Sequence, residues 1–211
     1  MAEELRRALD LGPEHLSPYQ LTIEAGTAFD RAVRRGTFAP ADEDLATDLF
    51  ETTQAVLEAD GFEAYEVSNH AKGEAARSRH NLVYWRGWDY VGVGPGAHGR
   101  ITRGGVREAT VSAARPADYI RRVADTGLGF ATRETLSPVE AAEERLLSGL
   151  RIAEGVPFAD LTALKLQPDH PTVRRLVEIG LLAGDAARLR ATPHGRRLLD
   201  RLTTELAIAG V

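Results

Sequence analysis

The densest group of chemically capable residues is the segment His80-Asn81-Leu82-Val83-Tyr84-Trp85. It holds an imidazole, an amide and two large aromatic rings. An imidazole can ligate haem iron, and aromatic faces can stack on a macrocycle. The segment therefore predicts a site for a flat, π-rich ligand, with His80 as the candidate ligand to a metal. The structural alternative keeps His80 as a hydrogen-bonded, partly buried side chain that binds nothing.

His70 and His98 flank this segment and are the competing candidates for a metal ligand. Three histidines without the supporting spacing of known sites do not define a metal centre. No catalytic residue is therefore assigned from the histidines. The others are expected to be structural or exposed: His15, His170 and His194.

The glycine-rich run from Gly94 to Gly99 matches the pattern G-x-G-x-x-G. In a dinucleotide-binding protein this pattern follows a strand and opens a helix. Here the residues that follow, Arg100 to Gly105, indicate a strand and a turn. We therefore expect a tight loop, whose glycines allow a positive φ or a close approach of the backbone.

Composition limits the classes of function. The chain has 211 residues, a net charge of −5 and no cysteine. The acidic balance disfavours nonspecific binding to nucleic acid. No apolar run has the length of a membrane span, and the charged first ten residues lack the apolar core of a signal peptide. The cytoplasm is the expected location. Without cysteine, this chain cannot ligate an iron–sulfur cluster through thiolates.

The first part of the chain alternates between strand and helix patterns. Apolar residues recur at helical spacing over residues 41–60, and strands are predicted on both sides, at 15–23 and 62–67. A short helix is predicted over residues 2–10. This order is typical of a piece of a parallel α/β sheet or barrel.

The second part begins with a hairpin predicted over residues 101–111 around Gly104-Gly105 and then becomes helical. Ser137 and Glu140 form a predicted capping box. The remaining predicted elements are helices at 115–126, 157–166, 171–179 and 193–207, and two short strands within 181–191. This pattern predicts a winged-helix-like module. We place a boundary near residues 128–136, which gives domains 1–128 and 129–211.

Four segments, taken in order, resemble a known family: HLSPYQLTIEAGTAF, GFEAYEVSNHA, RHNLVYW and DYVGVGPGAHG. They are similar to the second half of the radical-SAM haem chaperones of the HemW type, which are relatives of oxygen-independent coproporphyrinogen III oxidase. The implied fold is α/β, the carboxy-terminal part of a partial radical-SAM (β/α) barrel, followed by a small winged-helix-like α+β domain.

The resemblance also implies a cofactor site. In this family the H-N-x-x-Y-W motif, intact here from His80 to Trp85, is associated with haem binding. It implies that His80 is the axial ligand to haem iron and that Asn81, Tyr84 and Trp85 surround the haem. More weakly, the barrel comparison places three residues near the barrel mouth, where such folds bind ligands: Tyr19, Gln20 and Tyr65.

Full-length members of the family begin with barrel strands and a C-x-x-x-C-x-x-C motif that holds a [4Fe–4S] cluster and binds S-adenosylmethionine. Because this chain has no cysteine, we expect neither cluster assembly nor S-adenosylmethionine cleavage on it. We expect an incomplete chain that is not catalytically competent, although its relatives include an oxidase. The implied partners are haem-accepting proteins, including membrane-associated recipients, and the missing amino-terminal half of the barrel.

Two functions follow as hypotheses. The first is haem binding and haem transfer within porphyrin and haem metabolism. The second is a winged-helix regulator that binds nucleic acid, because six arginines cluster between residues 174 and 197. The net negative charge and the barrel-like first half argue against the second hypothesis, and we expect no nucleic-acid partner.

Overall fold

The computed structural model describes residues 1–210 and contains two compact units. The first comprises Met1–Ser78 and the second begins at Arg79. The domain boundary predicted near residues 128–136 lies inside the second unit, and it remains a prediction about sequence domains. Among the helices of residues 1–210, none is both long enough and apolar enough to span a bilayer.

The first unit contains three α-helices: α1 (Ala2–Leu9), α2 (Ala28–Arg34) and α3 (Glu43–Ala59). The helices predicted over residues 2–10 and 41–60 are confirmed. The side chain of Asp42 caps α3 by accepting a hydrogen bond from the backbone N–H of Leu45. Helices α1 and α3 pack together, and each contributes a buried leucine, Leu5 and Leu57.

The sheet of the first unit has three short strands: β1 (His15–Leu16), β2 (Glu63–Glu66) and β3 (Asn69–Ala71). Their order is β1-β3-β2, and both pairs are antiparallel. The flanking strands β1 and β2 therefore run in the same direction, but β3 lies between them, so they are not hydrogen-bonded to each other. The strand predicted over 15–23 is wrong beyond Leu16, where Pro18 removes a backbone donor.

The second unit begins with helix α4 (Arg79–Trp85) and continues into an antiparallel sheet of β4 (His98–Arg103), β5 (Val106–Ser112) and β6 (Phe130–Thr135). Helix α5 (Pro116–Thr126) connects β5 to β6. The predicted hairpin is confirmed: Gly104 and Gly105 have φ of +56° and +79°, as a two-residue hairpin turn requires.

Helix α6 (Pro138–Gly149) follows, and its predicted capping box is confirmed. The Ser137 N–H donates to a Glu140 carboxylate oxygen at 2.8 Å, and the Glu140 N–H donates to Ser137 Oγ at 3.2 Å. The remaining elements are β7 (Val156–Pro157), a 3₁₀ helix (Phe158–Leu164), α7 (Pro171–Glu178), β8 (Arg188–Leu189), α8 (Pro193–Arg197) and α9 (Leu199–Ala209).

The carboxy-terminal elements differ from the prediction in detail. The helix predicted over 157–166 is a 3₁₀ helix, and the last helix is divided at Leu198 into α8 and α9. The predicted pair of wing strands is reduced to β8, which pairs with β7, and one bridge between Leu182 and Ala191. Leucines from α6, the 3₁₀ helix, α7 and α9 fill the core between these elements.

Candidate functional site

The H-N-x-x-Y-W segment is the short helix α4. Residues four positions apart share a helix face, so His80 and Tyr84 lie on one face and Asn81 and Trp85 on the next. The rings of His80 and Tyr84 meet edge to face, with centroids 4.9 Å apart. Tyr84 makes a second edge-to-face contact, at 4.6 Å, with Tyr90. Three rings therefore form a continuous aromatic row.

His80 is exposed on this helix. Its imidazole is accessible to a ligand from solvent, and it is braced by the Tyr84 ring. This exposure does not fit the alternative in which His80 is a buried core side chain. The structure thus presents an accessible imidazole next to aromatic surface, and imidazole is one of the side chains that can ligate haem iron.

The Trp85 ring packs against Arg151, whose guanidinium carbon lies 4.7 Å from the ring centroid. Its indole Nε1 is buried and has no hydrogen-bond partner among the described residues. A buried donor without an acceptor costs about 1–3 kcal/mol. Asn81 is half-buried on the same face.

A cavity of about 340 Å³ lies beside α4 in the second unit. Its size is at the lower end of the range for ligand pockets. One wall is aromatic, formed by Tyr84, Trp85 and Tyr90. The opposite wall comes from the β4–β5 hairpin and α6, and it carries charged side chains: Arg100, Arg107, Glu144 and Arg145.

The charged side chains of this wall form ion pairs, one of which joins Arg107 to Asp89 at 3.2 Å. Arg100 makes a bidentate pair with Glu144, with Nη2 to Oε1 at 2.6 Å and Nε to Oε2 at 3.0 Å. This hydrogen bonding raises the pKa of Arg100 above its usual value. Arg145 donates from Nε to Asp160 at 3.0 Å. Burial raises the pKa of Tyr90, so its hydroxyl stays protonated at neutral pH.

The three residues predicted near a barrel mouth lie in the first unit. Tyr19 is 70% exposed, and Gln20 Nε2 donates to the carbonyl of Ala46 at 2.7 Å. Tyr65 is only 2% exposed, and its hydroxyl accepts from the Ser78 N–H at 3.2 Å. The hydroxyl also lies 2.8 Å from Nε2 of His15. Burial raises the pKa of Tyr65 and lowers that of His15.

The two competing histidines have different environments. His70 is 2% exposed within β3, and its Nε2 lies 3.2 Å from Oε1 of Gln54. His98 is exposed at the start of β4. Within residues 1–210, no three carboxylate or imidazole side chains converge as a metal site would need. The glycine-rich segment is a loop that leads into β4 and not into a helix, as predicted.

Sequence analysis missed the charged wall of the cavity. Arg107 and Arg145 come together from distant positions, and no spacing pattern connects a strand residue to a helix residue so far away. Gly87, two residues after the motif, is the nearest signal in the sequence, and in the structure it has a φ of +64°. A Cβ atom on Gly87 would lie 2.3 Å from Cδ of Arg145, so the absent side chain makes room for that arginine.

The comparisons with known proteins agree on one family. The family model described as HemN C-terminal domain matches residues 136–198. The mouse "Radical S-adenosyl methionine domain-containing protein 1, mitochondrial" is 36% identical over 97% of this chain and 48% of its own length. The "Heme chaperone HemW" of Mycobacterium tuberculosis is 37% identical over 94% of this chain and 49% of its own length. The chain therefore spans about half the length of these relatives.

One solved structure resembles the whole described chain. It is titled "Coproporphyrinogen III oxidase (HemN) from Escherichia coli is a Radical SAM enzyme". The match has a TM-score of 0.69 and 17% identity, and it covers 98% of this chain and 50% of that one. At this identity the likeness shows the fold alone, and it confirms the mixed α/β class predicted from sequence.

Proposed function

Because this chain belongs to the family of HemW- and HemN-like proteins, of which it matches the carboxy-terminal half, we propose that it binds haem and passes it to other proteins. The observation that carries the proposal is the exposed imidazole of His80 beside the Tyr84 ring on α4. Relatives from Mycobacterium tuberculosis, Bacillus subtilis and Escherichia coli are named haem chaperones, which supports this function for the family.

The environment of each histidine supports His80 as the axial ligand. His70 is buried and bonded to Gln54, and His15 is half-buried against Tyr65. His98 is exposed like His80, but only His80 has an aromatic ring in edge-to-face contact on its own helix. Haem, when bound, supplies a redox-active iron and a flat aromatic surface. The protein supplies the imidazole and an aromatic wall.

The other motif residues have supporting roles in this proposal. Tyr84 braces the His80 ring and offers its edge to a macrocycle, and Trp85 extends the same aromatic surface along the cavity. Asn81 would orient the site by hydrogen bonding. For Tyr19, Gln20 and Tyr65 we propose a part in a ligand site at the barrel mouth of a longer protein, where Tyr19 offers the exposed ring.

The names of some longer relatives indicate radical-SAM chemistry for those proteins. A [4Fe–4S] cluster with S-adenosylmethionine would need cysteines from outside this sequence, since it contains none. An amino-terminal barrel half is the partner that would supply them. Four large apolar side chains of the first unit are about half exposed or more, which supports such a partner: Leu11, Leu21, Phe29 and Leu45.

Haem-accepting proteins are the remaining proposed partners, with membrane-associated recipients among them, and the cytoplasm is the proposed location. The wing arginines give little support to a nucleic-acid function. Arg190 pairs with Asp185 at 3.1 Å, and Arg175 pairs with Glu205. The net charge of the chain is −5, which disfavours binding to a phosphate backbone.

A haem titration followed by the Soret band tests the proposal. His80→Ala should weaken haem binding at least tenfold, roughly 1.4 kcal/mol, and shift the Soret band. The matched variants His98→Ala and His70→Ala should bind like the parent. Because His80 is exposed, the His80→Ala variant should have the same circular dichroism spectrum as the parent. His80→Gln provides a milder second variant. Equal binding by the parent and all three alanine variants would refute His80 as the ligand.

A further inference from the structure

We propose that Arg107 and Arg145 form a carboxylate-binding site beside α4, which takes the acidic side chains of the tetrapyrrole. This inference rests on the proposed function and deepens it, because it names a second point of attachment besides His80. The chemical class of the ligand is a flat aromatic molecule with carboxylate groups at one edge.

The position of the two arginines follows from the shape of the surface. A second cavity, of about 680 Å³, adjoins the first one of about 340 Å³. Four residues line both cavities and therefore lie at their junction: Gly87, Arg107, Ala141 and Arg145. The first cavity has the aromatic wall of Tyr84 and Trp85, and the second is bordered by Trp88, which is 54% exposed.

The residues that line the two cavities carry an excess of positive charge. They include five arginines and three carboxylates, although the whole chain has a net charge of −5. A local cationic surface on an acidic protein favours an anionic ligand at that place. The excess therefore argues for a carboxylate-bearing ligand and against a neutral or cationic one.

Two of the three carboxylates that line the cavities are bonded by other arginines, and the third, Asp160, is bonded by Arg145. Glu144 is bonded bidentately by Arg100, and Glu154 is bonded by Arg86, with Nη2 to Oε1 at 2.5 Å. Arg107 lies 3.9 Å from Glu144, which is beyond hydrogen-bond distance. The direct ion pair of Arg107 is with Asp89, at 3.2 Å, and Asp89 does not line either cavity.

Both proposed arginines keep donors for a ligand. A guanidinium carries five N–H donors. Arg107 uses Nη1 for Asp89 at 3.2 Å. Arg145 uses Nε for Asp160 at 3.0 Å and Nη1 for the carbonyl of Trp85 at 3.1 Å. Arginine binds carboxylates through paired N–H groups, and each of these side chains retains enough donors to do so.

Gly87 fixes where Arg145 lies. Its φ of +64° favours glycine, and the space that its Cβ would fill is taken by Arg145. The Arg145 side chain is 15% exposed, so it is held between α4 and α6 and not free in solvent. An arginine that is held in place loses less side-chain entropy when it binds a ligand. The site is thus built by the fold, next to the motif helix.

Metal-free protoporphyrin IX and its dimethyl ester test the proposal by fluorescence titration of the full chain. The two probes share the ring and differ only in whether the carboxylates are free. The parent should bind the free acid at least tenfold more tightly than the ester. Arg107→Gln and Arg145→Gln should each weaken binding of the acid severalfold and leave binding of the ester unchanged. The matched control Arg133→Gln, which removes an exposed pair with Glu108 outside both cavities, should change neither.

Two results would overturn the proposal: equal binding of acid and ester by the parent, or equal losses for both probes in the arginine variants. If a variant fails to fold, the parent protein still tests the proposal. Added salt should weaken its binding of the acid and not of the ester. His80 cannot ligate a metal-free ring. If the acid is still preferred but His80→Ala leaves haem binding unchanged, His80 is refuted as the ligand and this site is kept. If His80→Ala weakens haem binding but the acid is not preferred, this site alone is refuted.

Discussion

The two units of the chain are stabilised in different ways. Of the twelve largest fully buried side chains, eleven belong to the second unit and only Leu57 to the first. The buried centre of the first unit is instead partly polar, with Glu66, Asn69 and His70 each at most 2% exposed. The second unit can hold α4 and the arginines rigidly on an apolar core, whereas the first unit depends on directed polar contacts.

The polar contacts of the first unit form one network. An oxygen of Glu66 accepts from the Ser68 N–H at 2.8 Å and from Asn69 Nδ2 at 2.6 Å. The hydroxyl of Ser17 then donates to Asn69 Oδ1 at 2.6 Å. Buried polar networks of this kind specify one geometry but give less stability than apolar burial. The comparison therefore predicts that the candidate haem site resists perturbation better than the first unit does.

Limited proteolysis should show the largest difference. Trypsin is expected to cleave first at the exposed arginines around α2, Arg31, Arg34 and Arg35, and residues 137–207 should persist longest. Cleavage requires local unfolding, which an apolar core suppresses. Mass spectrometry of the early fragments identifies the first cuts. If the first cuts fall within residues 137–207, the second unit does not resist local unfolding better than the first.

The next largest effect is expected when a buried leucine of the second unit is replaced by alanine. Leu146 is fully buried in α6, while its neighbour Leu147 is 53% exposed. Leu146→Ala should lower the free energy of unfolding by about 2–5 kcal/mol, and Leu147→Ala by much less. Urea denaturation followed by circular dichroism measures both. Similar losses for the two variants would mean that α6 does not pack as described.

Gly87→Ala should cost about 1–3 kcal/mol, because the new methyl group meets Arg145 and the residue must keep a positive φ. Gly127→Ala is the matched control, since Gly127 has a φ of +75° but open space around its Cβ position. The difference between the two variants isolates the contact with Arg145. If both lose the same stability, Gly87 does not position that arginine.

The smallest predicted effect is a pH dependence in the first unit. Burial lowers the pKa of His15, so the folded chain holds this side chain neutral. Its contribution to stability is present above the unfolded pKa of about 6.5 and is lost as the pH falls through the lower folded pKa. The urea midpoint of the parent should therefore be lower at about pH 5 than at about pH 7.5. The difference should shrink in His15→Gln and persist in His98→Gln.

The sequence predicted the elements whose signals are local. The capping box at Ser137, the Gly104-Gly105 turn and the amphipathic helix α3 each depend on residues close together in the chain, and the structure contains all three. Strand pairing is not local. The pattern showed strands on both sides of α3 but could not reveal that β3 lies between them.

The candidate site also combines residues that the sequence predicted with residues that only the tertiary structure reveals. The aromatic row of α4 comes from one short segment, and its residues could be named from the sequence. The charged wall combines Arg107 of a strand with Arg145 of a helix, and only tertiary packing brings these two together. Residues such as Tyr65 were assigned by family resemblance, and the structure shows that its hydroxyl is already bonded within the first unit.

The central claim is that haem binds to the second unit through the imidazole of His80. Resonance Raman spectroscopy of the ferrous haem complex measures the iron–histidine stretching band directly. The band should be present in the parent and in His98→Ala, and it should be absent in His80→Ala. A band that persists unchanged in His80→Ala, or that disappears instead in His98→Ala, would contradict the claim.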